Sequence, residues 1–113
     1  MLVIEKGETK YWYLTLSEKT TIANPTYLFS IHHRLTDTMT NFILLDVSIH
    51  KERYNEFLID ESDINAYTGE YEYKVYAQTS PTNTNPNLSD ELVEQGILKV
   101  NEQAILEVFY EPT

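Results

Sequence analysis

A chain of 113 residues, 42% of them apolar and 23% charged, has the size and balance of one globular domain rather than of a disordered segment. It has no cysteine, so disulfides, thiolate nucleophiles and cysteine-ligated metals are excluded, and its apolar runs fall far short of the ~20 residues a membrane-spanning helix needs. The formal net charge of −10 lies wholly in residues 56–113, where only Lys74 and Lys99 offset the acids, and a field of this sign repels nucleic acid.

The expected organisation is a single domain over 1–113, and nothing in the opening residues reads as an export leader. A first short strand is predicted over 2–5. In the next segment Trp12, Leu14 and Leu16 alternate with Tyr11, Tyr13 and Thr15, the period of a strand with one buried face. Tyr27, Phe29 and Ile31 alternate in the same way with Leu28, Ser30 and His32. Ile43, Leu45, Val47 and Ile49 form another inward set, with Asp46, Ser48 and His50 opposite. A strand over 54–60 is followed by a turn of helix within 60–67.

The plainest strand is Gly69-Glu70-Tyr71-Glu72-Tyr73-Lys74-Val75-Tyr76-Ala77, in which Tyr71, Tyr73, Val75 and Ala77 are apolar or aromatic while Glu70, Glu72 and Lys74 point the other way. The polar stretch 78–87, with Pro81 and Pro86, reads as an exposed loop of a kind that often binds partners. A short helix is predicted over 89–95, because Ser89 can cap it and Asp90 and Glu91 suit a first turn. Strands over 97–100 and 105–110 close the series. About eight strands must bury their apolar faces together, so the expected fold is all-β, an antiparallel β-sandwich of immunoglobulin-like type.

Chemistry-bearing residues are present but unorganised. His32 and His33 are adjacent on a strand and so face opposite ways, which prevents them from holding one ion, and nothing in the spacing joins His50 to either. Glu70 and Glu72 share a strand face, but on an exposed face such a pair reads as a solvated stripe rather than an acid/base site. The stretch Asp60-Glu61-Ser62-Asp63 lacks the glycine and the distal glutamate of a calcium loop. No catalytic residue, metal or cofactor is expected.

Nine tyrosines are more than one small core can hold, and Tyr11, Tyr13, Tyr54 and Tyr76 fall opposite the main apolar stripes. Exposed tyrosine buries area at low entropic cost, so these four, with Arg34 and Arg53, are the candidate partner-binding residues.

The order of segments resembles that of small virion proteins of tailed bacteriophages of Bacteroidota hosts, the crAss-like group among them. The pieces that carry the resemblance are Leu14-Thr15-Leu16-Ser17-Glu18-Lys19-Thr20-Thr21, Asn24-Pro25-Thr26-Tyr27-Leu28-Phe29, Lys51-Glu52-Arg53-Tyr54-Asn55-Glu56-Phe57, the Gly69 to Tyr76 strand, and Leu92-Val93-Glu94-Gln95-Gly96-Ile97-Leu98-Lys99-Val100. The turn Gly7-Glu8-Thr9 before a strand is also shared with many phage sandwich domains. The resemblance implies a non-enzymatic virion component, assembled in the bacterial host cytoplasm. Its expected role is that of a capsid auxiliary or decoration protein. Its expected partners are the major capsid protein, head fibre or portal-vertex proteins and further copies of itself, with neither nucleic acid nor membrane. A neck, tail or baseplate component is the alternative. A carbohydrate-binding sandwich and a hydrolase built on paired carboxylates are the rival readings.

Overall fold

In the computed structural model, which describes residues 2–49, 54–64 and 67–102, the chain is predominantly β. Seven strands are found among the described residues: β1 (Leu2–Glu5), β2 (Thr9–Leu14), β3 (Thr26–His33), β4 (Thr38–Leu44), β5 (Asn55–Asp60), β6 (Gly69–Gln78) and β7 (Glu91–Asn101). They form a five-stranded sheet in the order β1-β7-β6-β3-β4 and a two-stranded sheet of β2 with β5. One helical turn, α1 (Glu61–Ile64), follows β5.

The two sheets meet through aromatic side chains. Trp12 of β2 stands opposite Phe57 of β5, and both reach across to β3 of the larger sheet. Phe57 meets Phe29 edge-on at 5.1 Å and Tyr27 at 5.6 Å, while Trp12 lies 6.2 Å from Phe29. Ile4, Leu16, Ile31, Ile59, Tyr71, Tyr73, Val75, Leu98 and Val100 fill the same core. Such edge-on aromatic packing adds to the area each ring already removes from water.

Turn chemistry explains two of the connections. Gly7 takes a positive φ of 79° between β1 and β2, and the buried Glu61 fixes that turn by accepting from the Gly7 amide at 2.8 Å and from Lys6 Nζ at 2.7 Å. Asp37, at φ 56°, closes the β3–β4 hairpin, its amide donating to the His33 carbonyl at 2.9 Å.

Several expectations are corrected. The larger sheet is mixed rather than antiparallel, because β1 runs parallel to β7, with Leu2 opposite Leu98 and Ile4 opposite Val100. The inward set at 43–49 does not exist. Phe42 and Leu44 pack against the core, and beyond Leu44 the chain leaves the larger sheet to bridge β5 at Asp46 and Phe57. Leu45, Val47 and Ile49 are therefore exposed, and Ser48 is buried. The helix expected over 89–95 is instead the start of β7, pulled straight by β6 on one flank and by distant hydroxyls that claim its acids. The short helix within 60–67 is present as α1. The strand expected over 105–110 lies outside the described residues.

Candidate interaction surface

On the small sheet the core face takes Trp12, Phe57 and Ile59, so the alternate residues are turned outward. Tyr11 is 46% exposed, Tyr13 59% and Leu58 47%, with Tyr11 directly opposite Leu58 and Tyr13 opposite Glu56. Tyr13 is the middle member of an aromatic row. Its ring lies 6.4 Å from that of Tyr11 and meets Tyr54 edge-on at 5.9 Å. Partial desolvation in this row, followed by the nearby Glu56 carboxylate, raises the Tyr13 hydroxyl above its ordinary pKa of 10.0. The Tyr13 hydroxyl therefore remains a neutral donor at physiological pH.

The structure brings together three of the expected partner-binding residues, Tyr11, Tyr13 and Tyr54, and separates the others. Tyr76 is half-buried on the outer face of the larger sheet, in line with Ile43, Leu28 and Leu92. Arg34 lies at the end of that same sheet, where it bridges two carboxylates, Glu70 at 3.3 Å and Glu72 at 3.1 Å. Arg53 and His50 lie outside the described residues. Leu58 belongs to the tyrosine face and was not singled out from the sequence, although the alternation of Phe57 and Ile59 already places it outward.

The remaining polar residues are tied into the scaffold. His33 is buried, with Nε2 3.0 Å from the Thr68 carbonyl and Nδ1 accepting from the Thr36 amide at 3.2 Å. His32 faces the other way and contacts Asp37. In the acidic stretch, Glu61 turns inward to Lys6 and Gly7, and Asp60 accepts from the Ser62 hydroxyl at 2.7 Å, which holds its carboxyl below the usual range. Among the described residues no three His, Asp or Glu side chains gather into an ion site. No helix among them is long and apolar enough to cross a membrane.

The 79–90 connection is built around the buried side chain of Gln78. Its amide donates to the carbonyls of Ser80 at 3.1 Å and Asn83 at 2.8 Å, and its oxygen accepts from Asn83 at 2.9 Å and Ser89 at 3.0 Å. The loop is exposed yet held from within.

A shallow cavity of about 220 Å³ lies on the outer face of the larger sheet, lined by Ser30, His32, Met39, Glu72, Lys74 and Tyr76. It contains both charge signs and no nucleophile activated by a neighbouring base. The small sheet thus exposes an aromatic row, while the outer face of the larger sheet combines apolar side chains with the ion pairs of Arg34 to Glu70 and Glu72. Comparison with protein-family models, with curated proteins and with solved structures returns no match.

Proposed function

We propose that this chain is a non-enzymatic structural component of a tailed-phage particle, an immunoglobulin-like sandwich that sits on the capsid shell as an auxiliary or decoration protein. The resemblance in segment order supports the phage assignment, and the row Tyr11, Tyr13 and Tyr54 with Leu58 is the observation that carries the docking role. Rigid aromatic side chains on a two-stranded sheet can contact a neighbouring subunit with little loss of conformational entropy. Many copies on a lattice then turn weak single contacts into high occupancy. The partners are the major capsid protein and fibre or portal-vertex proteins, and the protein resides in the virion after assembly in the host cytoplasm. Lys6, Lys10 and Lys19 lie in the charge-balanced half of the chain that would face the shell.

The test is co-sedimentation of the purified chain with assembled shells. Tyr13→Ala combined with Tyr54→Ala should reduce occupancy at least tenfold, roughly the loss expected when central aromatic anchors are truncated. Tyr76→Ala, on the opposite face, should leave it unchanged. Equal occupancy by all three proteins would overturn the docking face. The same exposed rings could stack on sugar, and saturable binding on a glycan array without shell association would favour the carbohydrate-binding reading.

A further inference from the structure

β4 is the outermost strand of the five-stranded sheet, and among the described residues no strand pairs with its far side. Its sequence, Thr-Met-Thr-Asn-Phe-Ile-Leu, contains no charge, no proline and no glycine. Native edge strands are commonly blunted by charge or proline to prevent pairing with another chain, and an open edge without them is a template for strand addition. The absence of charge matters more here because the chain carries a net −10, so two copies meet with least repulsion along a segment like this.

The second observation is Asn41. It is the midpoint of β4, and its Oδ1 is buried without a hydrogen-bond partner. Residues directly opposite in a ladder share a face, so Asn41 lies with Ser30 on the outer face, while Phe42, stacked on Phe29 at 5.8 Å, points into the core. A buried acceptor left unpaired costs about 1–3 kcal/mol, and native structures rarely keep one without a reason.

We propose that β4 pairs antiparallel with β4 of a second copy about a two-fold axis through Asn41, which joins the two five-stranded sheets into one. In that register Asn41 faces Asn41 of the second copy, and rotation of each side-chain amide from its buried position toward the strand edge lets Nδ2 of one donate to Oδ1 of the other, which supplies the missing partner. Met39 faces Ile43 of the second copy, and Thr40 faces Phe42 of the second copy. The contact is isologous, so it closes at two copies rather than growing into a fibre. It lies away from the Tyr11, Tyr13 and Tyr54 face and does not depend on the phage reading.

Sedimentation velocity of the full chain over a range of concentrations, together with directed cross-linking, tests the pairing. The wild type should sediment as a concentration-dependent dimer. Met39→Lys, at a position already 58% exposed and so not expected to unfold the chain, should weaken the dimer roughly tenfold, because the two-fold repeats each lost pair. Adding Ile43→Glu to Met39→Lys places opposite charges at the facing positions and should restore it. Because the chain has no cysteine, Asn41→Cys should give a disulfide-linked dimer on mild oxidation, and Thr36→Cys, exposed in the hairpin, should give far less. A monomeric wild type, a dimer untouched by Met39→Lys, or cross-linking no faster at position 41 than at 36 would each overturn the proposal. So would a monomer whose outer β4 amides are already protected from exchange, since another segment of the same chain would then cover the edge.

Discussion

Asn55 donates its side-chain amide to Oδ2 of Asp46 over 2.6 Å, and the pair ties together three separate stretches of chain. The Asn55 oxygen accepts from the amides of Leu16 at 2.7 Å and Ser17 at 3.1 Å, while Oδ1 of Asp46 accepts from the amides of Ser48 at 3.0 Å and Glu56 at 3.2 Å. This knot sits where the chain leaves β4 and joins β5. Asn55→Ala would remove the acceptor of two backbone amides, those of Leu16 and Ser17, and one donor to the Asp46 carboxylate. The expected cost is about 2–4 kcal/mol, read as a lower urea midpoint with an unchanged slope.

The same carboxylate makes stability depend on acid. Burial pushes the Asp46 pKa up, but the donors from Asn55, Ser48 and Glu56 outweigh it, and the net effect is a pKa below the ordinary 3.8. A lowered folded pKa means that the contribution is complete above the unfolded value and is lost as pH falls through the folded one. Glu91, lowered by the hydroxyls of Thr20 and Thr21, acts in the same direction. Chemical denaturation between pH 5 and pH 2 should therefore show stability falling below about pH 4, and Asp46→Asn should flatten part of that slope.

At the alkaline end the responsible group is Tyr73. Burial, and then the charge of Glu94 with a 3.4 Å hydrogen bond to it, pushes the Tyr73 hydroxyl up to about 12. Because the folded pKa is raised, the stabilising effect is complete below the ordinary value of 10.0 and disappears as pH rises toward 12. Ultraviolet titration should show a tyrosine ionising late and together with unfolding. Tyr73→Phe should remove that late step.

Tyr73 also covers a glycine. It stands opposite Gly96 across the β6–β7 ladder, and a Cβ at position 96 would come within 2.9 Å of the ring. Gly96→Ala should cost about 1–3 kcal/mol in the wild type, the usual range for overpacking. In a Tyr73→Val background the penalty should shrink sharply, since the obstructing ring is gone. A double-mutant cycle by thermal or urea unfolding measures that coupling.

The parts of the fold legible in the sequence are those in which one face alone is buried. Tyr11, Trp12 and Tyr13 on β2, and Tyr71 to Ala77 on β6, sit as the period-two rule requires. β3 defeats the rule because it is central in its sheet, and Leu28 and Ser30 on its outer face are buried as well as Tyr27, Phe29 and Ile31. The misread at Leu45, Val47 and Ile49 has a different origin. Alternation persists there while the strand that would use it has ended, and the decisive signal is the polar trio Asp46, Ser48 and Asn55, whose members bond across the turn. The helix expected over 89–95 failed because Asp90 and Glu91 look like first-turn acids, whereas Asp90 accepts from the Thr79 amide and Glu91 from the hydroxyls of Thr20 and Thr21. Such distant partners leave no trace in local spacing. The aromatic face was partly legible for the same reason as β2, since Tyr11 and Tyr13 share its exposed side, but the approach of Tyr54 to Tyr13 depends on how β5 pairs with β2.

The parallel pairing of β1 with β7 also bears on how the molecule is made. Leu98 and Val100 are synthesised more than ninety residues after their ladder partners Leu2 and Ile4. Closing so distant a contact is entropically slow, so β1 must wait, unpaired, until nearly all of the larger sheet exists. Trp12 and Phe57 can associate before then, which makes the small sheet and β3 the natural site of early folding and β1 the final stitch.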